Sequence, residues 1–111
     1  MELDKLIEFN KLIGDFDDTL TDAYPISQFF KRNEDEIIWC TKHQFKYHRT
    51  WEWIMPVLEK ISKNYSCLIS NDSGQWQILI DIASVNVVGD NLFEVVYESI
   101  IKFLKWYNKL V

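Results

Sequence analysis

At 111 residues, with 48% hydrophobic and 26% charged side chains, the chain has room for one ordinary core, and a single globular domain over residues 1–111 is expected. Its apolar runs fall far short of the ~20 residues a bilayer span needs. The leading "MELDKLIEF" shows no signal-peptide pattern, so a cytosolic protein with no membrane partner is expected. The first predicted element is a helix over residues 3–13, "LDKLIEFNKLI", with Leu3, Leu6, Ile7, Phe9 or Asn10, and Ile13 near one face and Gly14 as its stop. The segment 14–36 reads as an acidic irregular stretch, with "GDFDDTLTDAYP" a loop. "EIIWCT" is a short β-prone run and a candidate edge strand.

A second helix is predicted over residues 50–63, with the Thr50 hydroxyl as N-cap. Trp51, Ile54, Met55, Leu58 and Ser62 share one side, and Trp53, Val57 and Ile61 lie beside them. Pro56 leaves two readings: the regular helix starts near Met55, or a longer helix kinks at the proline. "YSCLIS" and "WQILIDIA" alternate as the strands of a hairpin at 65–70 and 76–82, with Trp76, Ile78, Ile80 and Ile82 on one face. Gly74 supplies the positive φ of the turn between them. The last element is a helix over 91–108, its Asn91 and Glu94 spaced as a capping box. Its narrow polar stripe predicts a mostly buried helix lying across the hairpin. The expected core is Trp53, Val57, Ile61, Ile78, Ile80, Val96, Ile100 and Phe103. The fold class is α+β, a small antiparallel sheet packed against about three helices.

The net charge of −5 is unevenly spread. Residues 1–36 hold ten acids and four bases, whereas residues 37–63 hold five bases and two acids. The acidic part repels phosphate and suits a basic protein groove instead. The segment "CTKHQFKYHR" interleaves bases with rings, which suits single-stranded nucleic acid or a protein hot spot. The bland alternative is that most of these rings fill the core.

Metal and catalytic motifs are weak. Cys40, His43, His48 and Cys67 follow Cys-x2-His-x4-His-x18-Cys, which matches no zinc pattern, and free thiols in a reducing compartment are expected. Cys40 with His43 or His48 lacks an elbow, an oxyanion loop and an orienting acid. "DFDDT" matches the DxDxT nucleophile motif of phosphatase-like hydrolases at Asp15, Asp17 and Thr19, but no apolar strand precedes it. No catalytic residue, metal or cofactor is expected, and the protein is read as a non-enzyme.

The segment "YHRTWEWIMPVLEKI" followed by "EVVYESIIKFLKWYN" resembles a group of small proteins from phages and prophages of Bacteroidetes-type bacteria. In that group "YHxSWxWLMPVxEKI" precedes strands and a closing helix that ends near "FIKWYN". The matching positions include Tyr47, His48, Trp51, Trp53, Met55, Pro56, Glu59 and Lys60, then Val96, Tyr97, Phe103, Trp106 and Tyr107. Coverage is roughly residues 45–108, and the acidic N-terminal part lies outside it. The resemblance implies an α+β sandwich of phage origin and no catalytic residue. By analogy with small acidic phage domains it suggests an inhibitor of host defence, such as an anti-CRISPR protein acting on an RNA-guided nuclease in the bacterial cytoplasm. The expected docking surface is Asp15, Asp17, Asp18, Glu34, Asp35 and Glu36, with Lys42, Lys46 and Arg49 second. The competing expectation is a nucleic-acid-binding accessory protein that uses those three bases.

Overall fold

The computed structural model describes residues 2–109. The fold is α+β: three α-helices and two three-stranded antiparallel sheets among the described residues. The chain divides into two compact units, Met1–Val57 and Leu58–Val111.

The N-terminal unit begins with α1, Leu3–Phe16. Gly14 does not stop this helix. A Cβ there would stand 2.8 Å from Leu20 Cδ2 and 3.0 Å from Phe45 Cε2, so the glycine lets the helix lie close against its neighbours. Asn10, Ile13 and Gly14 form the buried stripe, at i, i+3 and i+4. Leu3, expected on that face, is exposed.

The stretch expected to be irregular instead holds two strands, β1 (Leu20–Asp22) and β2 (Phe29–Asn33). They pair antiparallel, Leu20 opposite Lys31 and Asp22 opposite Phe29. Their apolar signal was masked because Lys31 occupies an inward position that sequence patterning assigns to solvent. The expected edge strand is present as β3, Glu36–Cys40, joined to β2 by a tight turn with Asn33 opposite Glu36. It forms one edge of the sheet β1-β2-β3. A 3-10 turn, Lys42–Gln44, follows and packs beside α1.

Helix α2 covers Trp51–Asn64 with Pro56 inside it, so the later start near Met55 is not adopted. The proline nitrogen cannot donate to the Glu52 carbonyl, but Glu52 lies on the exposed face, where water can take that bond. The Thr50 carbonyl accepts from the Trp53 and Ile54 amides, while its hydroxyl donates back to the Lys46 carbonyl at 3.3 Å. Trp53, Ile54, Val57, Leu58 and Ile61 are buried. Trp51 and Met55, expected with them, are exposed.

The C-terminal unit holds the predicted hairpin as β4 (Cys67–Asp72) and β5 (Gln75–Ile80). The turn puts Ser73 at φ +52° and Gly74 at φ +89°, the two positive angles of a type I′ hairpin. Ile82, expected on the inward face of β5, is exposed in a 3-10 turn, Asp81–Ala83, and Ser84 at φ +53° reverses the chain. A further strand, β6 (Val85–Gly89), pairs with β5, Ile78 opposite Val87 and Ile80 opposite Val85.

Helix α3, Leu92–Asn108, packs on β5 and β6. Its Asn91 cap accepts from the Glu94 amide at 3.1 Å. Val95, Val96, Tyr97, Ser99, Ile100, Ile101, Phe103 and Leu104 are buried. Tyr65 meets Phe103 edge-on, ring centroids 5.2 Å apart. All eight residues expected in the core are buried. No helix among the described residues is long and apolar enough to cross a membrane.

Candidate protein-binding surface

The N-terminal sheet is held from beneath by a buried polar network. Asp17 follows the last turn of α1, and its carboxylate accepts four hydrogen bonds: from Lys31 Nζ at 2.8 Å, Tyr47 Oη at 2.7 Å, the Thr19 amide at 2.9 Å and Thr19 Oγ1 at 2.8 Å. The Lys31 ammonium also donates to Thr19 Oγ1. It lies 5.9 Å from the Tyr47 ring centre and 5.4 Å from that of Trp53, within cation–π reach of both. Lys31 is 1% exposed and Asp17 5%. Such a charge pair is tolerable inside a protein only when its remaining lone pairs and protons are satisfied, as they are here. Burial, and next the Asp17 carboxylate beside it, pushes the Tyr47 phenol far above its ordinary value, so it acts as a fixed donor.

Asp17 therefore has to be removed from the expected docking surface. Its carboxylate is inside, committed to Lys31, Tyr47 and Thr19. The same geometry disposes of the DxDxT match: Asp17 is buried in an ion pair, and Asp15, at the end of a helix rather than a strand, pairs with Lys11 on the surface. Sequence reasoning missed Lys31 entirely. The signal that could have found it is the alternation in "FFKRN", which puts Lys31 on the same strand face as Phe29.

The other expected residues are exposed: Asp15, Asp18, Glu34, Asp35 and Glu36 among the acids, Lys42, Lys46 and Arg49 among the bases. Strand register separates the acidic β2–β3 turn from Lys42. The Arg32 amide donates to the Thr19 carbonyl and its guanidinium to the Asp18 carbonyl, which puts Asp18 at the same end of the sheet as the β2–β3 turn. Glu34 and Asp35 occupy that turn and Glu36 opens β3. Lys42 lies past the opposite end of β3, about 14 Å of strand away.

Between them the sheet turns an apolar face to solvent. Phe30 pairs with Trp39 and Arg32 with Ile37, and pleating puts these four on the side away from Lys31. Phe30 and Trp39 rings lie 5.3 Å apart, with Trp39 57% and Ile37 60% exposed. At the basic end of the sheet an open cleft of about 460 Å³ has Tyr24, Pro25 and Phe29 as its apolar wall and Asp22, Lys42 and His43 on its rim.

The basic segment keeps its cations at the surface but not its rings. Phe45 and Tyr47 are 1% and 0% exposed and pack edge-on against each other, so neither can stack on a nucleic-acid base. His48 Nδ1 lies 2.8 Å from Asn10 Nδ2. Burial, then the neighbouring Arg49, holds its pKa below the ordinary imidazole value. Both cysteines are free thiols, Cys40 buried and Cys67 half-buried, and burial raises both pKa values. Among the described residues no three His, Cys, Asp or Glu side chains converge as metal ligands. No protein-family model, curated protein or solved structure gives a significant match to this chain.

Proposed function

We propose that the protein is a non-catalytic binding module, an inhibitor of phage or prophage origin that acts in the bacterial cytoplasm by docking on a host defence protein. An RNA-guided nuclease is the target class that the sequence resemblance and the acidic balance favour. One observation carries the reading: the open face of the β1-β2-β3 sheet exposes Trp39 and Ile37 beside the acids Glu34, Asp35 and Glu36. Tryptophan ringed by polar residues is the composition of an interface hot spot. An acidic rim steers such a face toward a basic groove of the kind nucleic-acid enzymes carry. The buried Asp17–Lys31–Tyr47 network holds the face in shape without taking part in contact.

The test is capture of host protein from lysate treated with nuclease. A partner should be retained after nuclease treatment and lost progressively with salt. Trp39→Ala should weaken its binding by roughly 30-fold or more, the scale of a hot-spot truncation. The exposed Lys42, Lys46 and Arg49 support a second reading, a nucleic-acid-binding accessory protein. Direct binding of free RNA or DNA at physiological salt, abolished by Lys46→Ala with Arg49→Ala and indifferent to Trp39→Ala, would replace the inhibitor with that reading.

A further inference from the structure

The two edges of the N-terminal sheet are unequal. β1 spans only Leu20–Asp22. β3 has five residues, the first four of them exposed, and no proline or lysine within it. Natural edges are usually blunted by such residues, by bulges or by extreme shortness, because an open edge is a template for another strand.

The phase of the free edge can be read from the bonds on the other side of β2. The Arg32 amide donates to the Thr19 carbonyl just before β1, so Arg32 and its cross-strand neighbour Ile37 do not exchange hydrogen bonds. Ile37 therefore directs its own N–H and C=O outward, away from β2. The alternation repeats every second residue, so Trp39 does the same. An antiparallel strand meeting this edge must bring outward-directed groups against Ile37 and Trp39.

A second copy of β3 satisfies that requirement. With two copies related by a twofold axis at Ile38, Ile37 of each faces Trp39 of the other, and all four residues have their bonding groups directed at the seam. The same register carries a charge match beyond the strand ends. Glu34, on the turn before β3, comes opposite Lys42, just after it, in the other copy, and the exchange occurs twice. Apolar side chains lie in the middle and opposite charges at the two ends. We propose that β3 is a self-complementary seam through which two copies pair, joining their three-stranded sheets into a six-stranded one. Ile37, Trp39 and Phe30 of both copies then lie on one continuous face, so the seam doubles the apolar surface assigned above to partner binding. The seam uses backbone edges and the turn residues, and does not require that functional reading to hold.

Sedimentation velocity over a wide concentration range tests the pairing without any partner. The full chain should shift from monomer to dimer with rising concentration, less so at high salt. Glu34 and Lys42 are exposed, so reversing either leaves the fold intact. Glu34→Lys alone and Lys42→Glu alone should each weaken self-association roughly tenfold, because each turns both end contacts into like-charge pairs. An equimolar mixture of the two variants should recover the dimer, since each then supplies the sign the other lacks. A chain that stays monomeric throughout, a dimer that ignores both reversals, or a mixture that fails to recover would each overturn the seam.

Discussion

The two sheets of this protein have the same strand count and solve burial by different chemistry. The β4-β5-β6 sheet packs β5 and β6 on α3 and buries aliphatic side chains, Ile78, Ile80, Val85 and Val87 on the strands and Val96 and Ile100 on the helix. Ser99 is buried there too, and its hydroxyl is satisfied within the helix by donating to the Val95 carbonyl at 2.6 Å. The β1-β2-β3 sheet packs aromatic rings, Phe29, Phe45, Tyr47 and Trp53, around an ammonium–carboxylate pair. An aliphatic core loses stability in proportion to what is cut from it. A buried ion pair is sensitive to which partner is cut, because the survivor is left charged and dry.

The largest expected effect exploits that contrast. Asp17→Ala should cost about 3–5 kcal/mol, since Lys31 would keep its charge without a counter-ion. Asp17→Ala combined with Lys31→Met should be much less damaging than Asp17→Ala alone. Urea unfolding of the three proteins decides this, and a double variant no more stable than the single one would end the distinction between the two sheets. For the aliphatic unit, Ile100→Ala should cost ~2–5 kcal/mol through lost transfer energy and the cavity left behind. A loss below about half a kcal/mol would mean that Ile100 does not carry the α3 contact.

Asn91→Ala should cost about 1 kcal/mol, by freeing the Glu94 amide at the start of α3. Asn91→Ser should recover most of it, which separates a cap from mere packing. The smallest effect concerns pH and belongs to the N-terminal unit. His48 is held below its ordinary value of 6.5, so the unfolded chain takes up the proton first as pH falls. Its contribution to stability is thus present above that value and lost as pH drops toward the depressed folded value. Protonating Nδ1 would also set a donor against the Asn10 amide. The stability difference between wild type and His48→Gln should shrink when urea midpoints are compared above and below the ordinary imidazole range. A difference that stays constant would show that His48 remains neutral in both states or titrates alike in both.

The elements of the C-terminal unit were legible because each is specified locally. Alternation marks β4 and β5, Gly74 marks their turn, and the Asn91 cap with a broad apolar stripe marks α3. β6 escaped because "VNVVG" follows a turn that sends the exposed Ile82 away from the sheet, breaking the alternation. In the N-terminal unit the reading failed where tertiary partners override residue type. Gly14 has the composition of a helix stop but serves close packing against Leu20 and Phe45. Trp51 and Met55 have core chemistry yet face solvent, because the buried stripe of α2 is centred one position away, on Trp53, Ile54 and Val57.

Composition and spacing by themselves determined the α+β class, the hairpin, the closing helix, the core residues named from periodicity and the uneven charge. These follow from short-range rules: 3.6- and 2-residue periods, cap and turn chemistry, and the count of ionisable groups. Only the tertiary structure decided which charges are surface and which are interior. Asp17 and Asp18 are neighbours in the chain and chemically identical, yet one lies beneath the sheet on Lys31 and Tyr47 and the other is exposed. The same holds for the rings: Trp39 is outside and Trp53 inside. The physical reason is that desolvating a charge or exposing a ring depends on groups brought from distant positions, residues 17, 31 and 47 here, and no local pattern records that meeting.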